Sequence, residues 1–168
     1  IESRFFTFNK IRSCLTIMKY PSISIIIATR NSEKFITVCL NSIFKQDYPR
    51  DKLEVIVVDN GSTDRTCEIA RKMNAKLLLV KGSPPQVCRQ RNLGVQKARF
   101  EYVYVLDHDM ELTDGFLADF AKLVAKTNNV VDAWYVSERI IASSPWFSQI
   151  RTFENSFYDE TWIGAARI

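Results

Sequence analysis

At 168 residues the chain has room for about one domain. Hydrophobic residues at 46% and charged residues at 25% exclude a disordered tail, and five Gly with five Pro exclude a collagen-like or low-complexity chain. The net charge of +4 is small and scattered, so it does not argue for nucleic acid, and no apolar run nears the roughly 20 residues of a membrane-spanning helix.

Residues 1–20 mix basic and aromatic side chains without an apolar stretch and small-residue cleavage site, so no signal peptide is expected. Two readings stay open for this segment: an extension ahead of a natural start at Met18, or a short helix packed on the domain. The domain proper is expected over 21–168. Ile23 to Thr29 is β-branched and nearly continuous, the pattern of a strand buried on both faces. Asn31 or Ser32 is a good N-cap for a helix in which Ile36, Leu40, Ile43 and Phe44 recur at helical spacing, with Pro49 beyond its end. Leu53 to Val58 reads as a second strand, Asp59-Asn60-Gly61-Ser62 as a turn, and Thr66 to Met73 as a helix with Ile69, Ala70 and Met73 inward. Lys76 to Val80 is a third strand, Gly82 to Pro85 a breaker, Val87 to Arg99 a helix and Tyr102 to Leu106 a fourth strand. A helix over Asp114 to Thr127 and a strand over Val130 to Val136 follow. Strand–helix alternation with short connections predicts an α/β fold, a mainly parallel sheet with helices on both faces.

In such sheets ligands bind beyond the carboxyl ends of the strands. Three of those ends are polar: Thr29-Arg30-Asn31, Asp59-Asn60-Gly61-Ser62 and Asp107-His108-Asp109. The first turn lacks G-x-G-x-x-G, which disfavours a dinucleotide site, and no G-x-x-x-x-G-K-[ST] motif occurs. Asp107 and Asp109 at one strand end repel each other unless a cation or donor lies between them; Mg²⁺, which takes one or two carboxylates plus substrate phosphates, resolves that. A solvated acidic loop is the plainer alternative. Asp59 can cap the next helix through its turn, or accept the imide N–H of a pyrimidine base. Arg89, Arg91 and Asn92 open a helix at the same sheet edge and can offer donors to phosphate. Cys14, Cys39, Cys67 and Cys88 lie far apart with no C-x-x-C pair, so plain thiols in a reducing compartment are expected.

The runs Ser24-Ile25-Ile26-Ile27-Ala28-Thr29-Arg30-Asn31, Glu54 to Asp64, Arg91-Asn92-Leu93-Gly94 and Tyr102 to Asp109 together resemble the family 2 glycosyltransferases, in order, spacing and strand context, over about residues 21–117. The resemblance implies a GT-A, Rossmann-like fold, a nucleotide-sugar donor, and inverting transfer aided by Mg²⁺ or Mn²⁺. It implies that Ala28, Thr29 and Arg30 line the nucleoside, that Asp59 reads the base, and that Glu33 sits by the nucleoside. It also implies that Arg91 belongs to the nucleotide site and that Asp107 and Asp109 form the D-x-D pair. Asp109 would be the direct metal ligand and Asp107 would lie nearer ribose and metal, with His108 a bystander.

A UDP-sugar donor and a saccharide, lipid-linked or protein-linked acceptor are expected, at a cytoplasmic location that includes the inner membrane face. In the family the general base lies beyond the D-x-D pair. Asp159 and Glu160 are the last acids available here, and Trp162 to Ile168 looks like a strand leading into the acceptor half. The chain is therefore expected to be the donor-binding piece of a longer protein, with its base beyond Ile168. Two other classes fit less well. A nucleotidyltransferase needs a Gly-rich basic loop after the first strand, and a receiver-like binding domain needs paired acids there; Ala28-Thr29-Arg30 supplies neither.

Overall fold

Seven consecutive residues, Ile23–Thr29, form β1, and every one of them is buried. Only a strand with neighbours on both edges and helices on both faces has that profile. The computed structural model describes residues 20–80 and 86–127. After β1 come α1 (Glu33–Phe44), a 3₁₀ turn (Arg50–Lys52), β2 (Leu53–Asp59), α2 (Thr66–Lys72), β3 (Lys76–Leu79), α3 (Val87–Lys97), β4 (Tyr102–Asp107) and α4 (Phe116–Thr127). The four strands form one parallel sheet in the order β3-β2-β1-β4. The chain divides into two units, Ile1–Lys126 and Thr127–Ile168, and the elements above build the first. The N-terminal segment, the breaker at 82–85 and the strands expected over 130–136 and 162–168 lie outside the described residues, as do Asp159 and Glu160.

The period-2 alternation of β1 divides its side chains between two cores. Ile23, Ile25 and Ile27 join Val55, Val57 and Leu106 against Ile36, Leu40 and Ile43 of α1, Ala70 of α2 and Leu117 and Ala121 of α4. Ile26, with Ile56 and Val58, faces α3, where Leu93 packs on it. Ile25, Ile26 and Ile27 have no exposed surface, and each side chain contributes about 1.5–3 kcal/mol by burial. α3 lies very close to the sheet at Gly94: a Cβ there would stand 2.2 Å from Ile26 Cγ2 and 3.3 Å from Val58 Cγ2. The expected helices on both faces are present.

Element boundaries differ from expectation where side chains reach in from elsewhere. α3 ends at Lys97 rather than Arg99, because Ala98 is extended and the Arg99 N–H donates to Glu54 Oε2 (2.8 Å). α4 begins at Phe116 rather than Asp114, since Gly115 takes φ +78° and the Leu117 N–H donates to Gln46 Oε1 (3.3 Å) just past α1. β2 and β4 each run one residue longer, to Asp59 and Asp107, which pair in register with Thr29 and Ala28 of β1.

Candidate functional site

The parallel register gathers the predicted residues at one sheet edge. Thr29 lies opposite Asp59, and Ala28 lies between Val58 and Asp107, so the three strand ends open on the same side. Ala28 and Thr29 are buried, Arg30 is exposed, and the carboxylate end of β2 is enclosed: Asp59 is 1% exposed. Its Oδ1 accepts the Ser62 N–H (2.8 Å), while Oδ2 accepts the hydroxyls of Ser62 and Thr29, the latter at 3.3 Å. Asp59 thus closes its own turn. The Cys67 thiol also bonds to Asp59; burial first, and then the Asp59 charge, push that thiol up to about 11.

The loops after β1 and β2 are tied to each other. Asn31, at φ +50°, gives its N–H to Ser62 Oγ (2.8 Å) and accepts the Thr63 N–H on its side-chain oxygen (2.8 Å). Ser32 occupies the N-cap position of α1, as expected, but its hydroxyl donates to the Arg30 carbonyl (3.3 Å) and caps nothing. The free N–H groups of the helix find partners across the loop instead. Ser32 N–H donates to Thr66 Oγ1 (2.7 Å) and Glu33 N–H to Asp64 Oδ2 (3.0 Å). In return Glu33 Oε2 accepts the Arg65 N–H (3.0 Å) and lies 3.5 Å from its Nε. The Glu33 carboxylate, expected beside a nucleoside, is engaged in this brace.

Behind the loops stands Gln90 of α3, 2% exposed, whose amide NH₂ donates to the Thr29 carbonyl (2.9 Å) and the Val58 carbonyl (2.7 Å). It joins the ends of β1 and β2 where the ladder stops, and at the Thr29 carbonyl it adds to the bond from the Asn60 N–H (3.0 Å). Nothing in the local sequence marks this Gln. Its partners lie 61 and 32 residues away.

The next residue, Arg91, reaches the third strand end. Its Nη2 lies 2.5 Å from Asp107 Oδ1, and both side chains are partly exposed. Asp107 and Asp109 are exposed, while His108 is half-buried and meets the Phe35 ring edge-on at 6.4 Å. Beneath this turn the Cys39 thiol donates to the Asp107 carbonyl (3.7 Å). Burial, with the charges of Asp109, Glu111 and Asp107, pushes that thiol up to about 12. α1 and the turn after it also anchor the chain beyond the pair: Ser42 Oγ of α1 accepts the Leu112 N–H (3.0 Å), and Gln46, just past the helix, donates to the Thr113 carbonyl (3.0 Å).

Asp107 and Asp109 offer hard oxygen donors two residues apart, suited to Mg²⁺ or Mn²⁺. No cluster of three or more His, Cys, Asp or Glu placed to hold a cation occurs among the described residues. Two carboxylates are compatible with Mg²⁺, whose remaining ligands are usually water and phosphate oxygens.

The chain matches the family model for glycosyl transferase family 2 over residues 24–164. It is 37% identical over 105 residues to poly(ribitol-phosphate) beta-N-acetylglucosaminyltransferase TarS of Staphylococcus aureus, covering 60% of this chain and 18% of that protein. Glycosyltransferase AglE of Haloferax volcanii is 37% identical over 93 residues, covering 53% of this chain and 31% of AglE. Among solved structures, TarS 1–349 in complex with UDP-GlcNAc superposes with a TM-score of 0.58 at 31% identity, over 70% of this chain and 37% of that one. The Pyrobaculum calidifontis mannosyltransferase PcManGT, in complex with GDP-Man and Mn²⁺, superposes with a TM-score of 0.55 at 33% identity, over 64% of this chain and 33% of that one. The chain thus spans well under half the length of these relatives.

Proposed function

The chain belongs to glycosyl transferase family 2, and from that premise we propose that it holds a nucleoside-diphosphate sugar at the carboxyl edge of β1, β2 and β4, for transfer to an acceptor hydroxyl with inversion at the anomeric carbon. The observation that carries this reading is the register of Asp59 and Asp107 on either side of the β1 end. Two strand spacings, about 10 Å, separate them, a gap that a nucleoside diphosphate can bridge.

In this reading Ala28, Thr29 and Arg30 line the nucleoside. Asp59 accepts a base N–H, with uracil, and hence a UDP-sugar, preferred. Glu33 shapes the nucleoside loop through Arg65. Arg91 meets phosphate, and Asp107 and Asp109 hold Mg²⁺ or Mn²⁺. Bound there, a divalent cation neutralises the charge that grows on the departing diphosphate. Support for the donor class comes from TarS, solved with UDP-GlcNAc, and for the cation from PcManGT, solved with Mn²⁺. The acceptor is a saccharide, free or lipid- or protein-linked, and the reaction takes place in the cytoplasm or at the inner membrane face. The general base belongs to the acceptor half, with Asp159 and Glu160 the candidates inside this chain.

Calorimetric titration of UDP and GDP, each with Mn²⁺ and with EDTA, tests the proposal. Saturable UDP binding that weakens at least tenfold in EDTA, and loses its Mn²⁺ dependence in Asp109→Asn, is expected. Absence of binding by both nucleotides would overturn the donor-site reading, and tighter GDP than UDP would overturn the uracil preference.

A further inference from the structure

Asp64 takes no part in the roles proposed above, yet its two carboxylate oxygens serve two different helices. Oδ1 accepts the Thr66 N–H (3.0 Å) and the Thr66 hydroxyl (2.5 Å), so it caps the start of α2 within its own turn. Oδ2 accepts the Glu33 N–H (3.0 Å) in the first turn of α1, 31 residues away. The Thr66 hydroxyl, oriented by Oδ1, accepts the Ser32 N–H (2.7 Å). Burial works against ionisation of Asp64, but these hydrogen bonds outweigh it and hold the carboxyl below its ordinary range.

The two segments joined in this way are those that follow Thr29 and Asp59. Arg30 and Asn31 precede Ser32, and the turn from Asn60 to Thr63 precedes Asp64. Beyond Thr29 and Asp59 the loops leave the ladder, apart from the Asn60 N–H on the Thr29 carbonyl (3.0 Å), so the positions of Arg30, Asn31 and residues 61–63 depend on cross-loop bonds. Asn31 supplies one set at the exposed rim. Asp64 and Thr66 supply the other at the helix starts, where Thr66 is fully buried.

We propose that Asp64 is a positioning residue for nucleoside recognition: the ladder and the Thr29 hydroxyl fix Thr29 on Asp59, and by holding the start of α1 with one oxygen and the start of α2 with the other, Asp64 sets where Arg30 stands relative to the Asn60–Thr63 turn. The inference rests on the donor-site reading, because it concerns how that site takes its shape. It separates two tasks on one side chain. The α2 cap serves folding, and the bond to Glu33 serves the spacing of the loops.

Two substitutions divide these tasks. In Asp64→Asn the side-chain oxygen can still cap α2, while the NH₂ group faces the Glu33 N–H, donor against donor. In Asp64→Ser the hydroxyl can still cap α2 and nothing reaches Glu33. Each variant of the 168-residue chain is titrated with UDP in Mn²⁺, at a temperature 20 °C or more below its own melting midpoint, so that loss of stability alone does not move the readout. UDP affinity at least threefold weaker than wild type in both variants is expected. Affinity within threefold of wild type in either folded variant overturns the proposal and leaves the donor site standing. Failure of both variants to fold assigns Asp64 to folding and overturns it as well. A wild-type chain that binds no UDP removes the donor-site reading, and this inference with it.

Discussion

Arg91 Nη2 lies 2.5 Å from Asp107 Oδ1, so the first carboxylate of the D-x-D pair already has a cation, delivered from α3 across 16 residues of sequence. Arg91 Nε is buried and has no partner among the described residues. The ion pair is about two-fifths exposed on the Arg side and half exposed on the Asp side, and pairs of that kind contribute only about 0–1 kcal/mol to stability. Arg91→Gln should therefore change the unfolding free energy by less than about 1 kcal/mol in urea titration. UDP affinity should fall by about tenfold, the scale of one charge-assisted hydrogen bond. Equal UDP affinity in variant and wild type would reduce Arg91 to a partner of Asp107.

Gly94→Ala should destabilise the fold without touching the site edge directly. The added Cβ would meet Ile26 Cγ2 at 2.2 Å, backed by the central strand, so α3 or β1 must shift. Overpacking of this kind costs about 1–3 kcal/mol. Removing the opposing methyl with Ile26→Ala should make the double variant less unstable than the two single losses added together. Strict additivity in urea denaturation would show that the contact is not what constrains position 94.

Stability should decline in acid partly through Glu54. Burial raises its carboxyl, but hydrogen bonds from the Arg99 N–H, Ser24 and Lys76, with the Lys76 charge, outweigh it and hold the group below its ordinary value of 4.5. A depressed folded-state pKa gives stability that is present above the unfolded value and lost as pH falls through the folded one. Melting midpoints should thus hold above about pH 5 and drop below 4.5. Glu54→Gln should lower the midpoint at neutral pH and flatten the acid limb. Parallel acid limbs in the two proteins would exclude Glu54 as a contributor.

Of Cys39, Cys67 and Cys88, only Cys88 should react with iodoacetamide in the native protein near pH 7.5. Cys88 is exposed, whereas the Cys39 and Cys67 thiols are held up to about 12 and about 11 by burial and neighbouring carboxylates. The thiolate is the reactive species, so both stay inert. Mass mapping of the labelled peptides reads the outcome directly. Native labelling of Cys39 would mean that the floor of the D-x-D turn opens readily.

The sequence by itself determined the order and kind of the elements, because burial leaves a periodic mark on a single segment. Ile23 to Thr29 reads as a doubly covered strand, the 3.6-residue spacing of Ile36, Leu40 and Ile43 as a helix face, and the polar residues at three strand ends as the edge of a ligand site. Thr29, Asp59 and Asp107 do meet at that edge, since parallel strands with short crossovers must end on one side. Only the tertiary structure decided which side chain satisfies which distant group. Gln90 bridges the Thr29 and Val58 carbonyls, Asp64 and Thr66 rather than Ser32 receive the free N–H groups of α1, and Glu33 turns to Arg65. Those bonds join residues 31 to 61 positions apart. A hydrogen bond between such partners depends on strand register and helix placement to within a few tenths of an ångström, and local propensity carries no record of that distance.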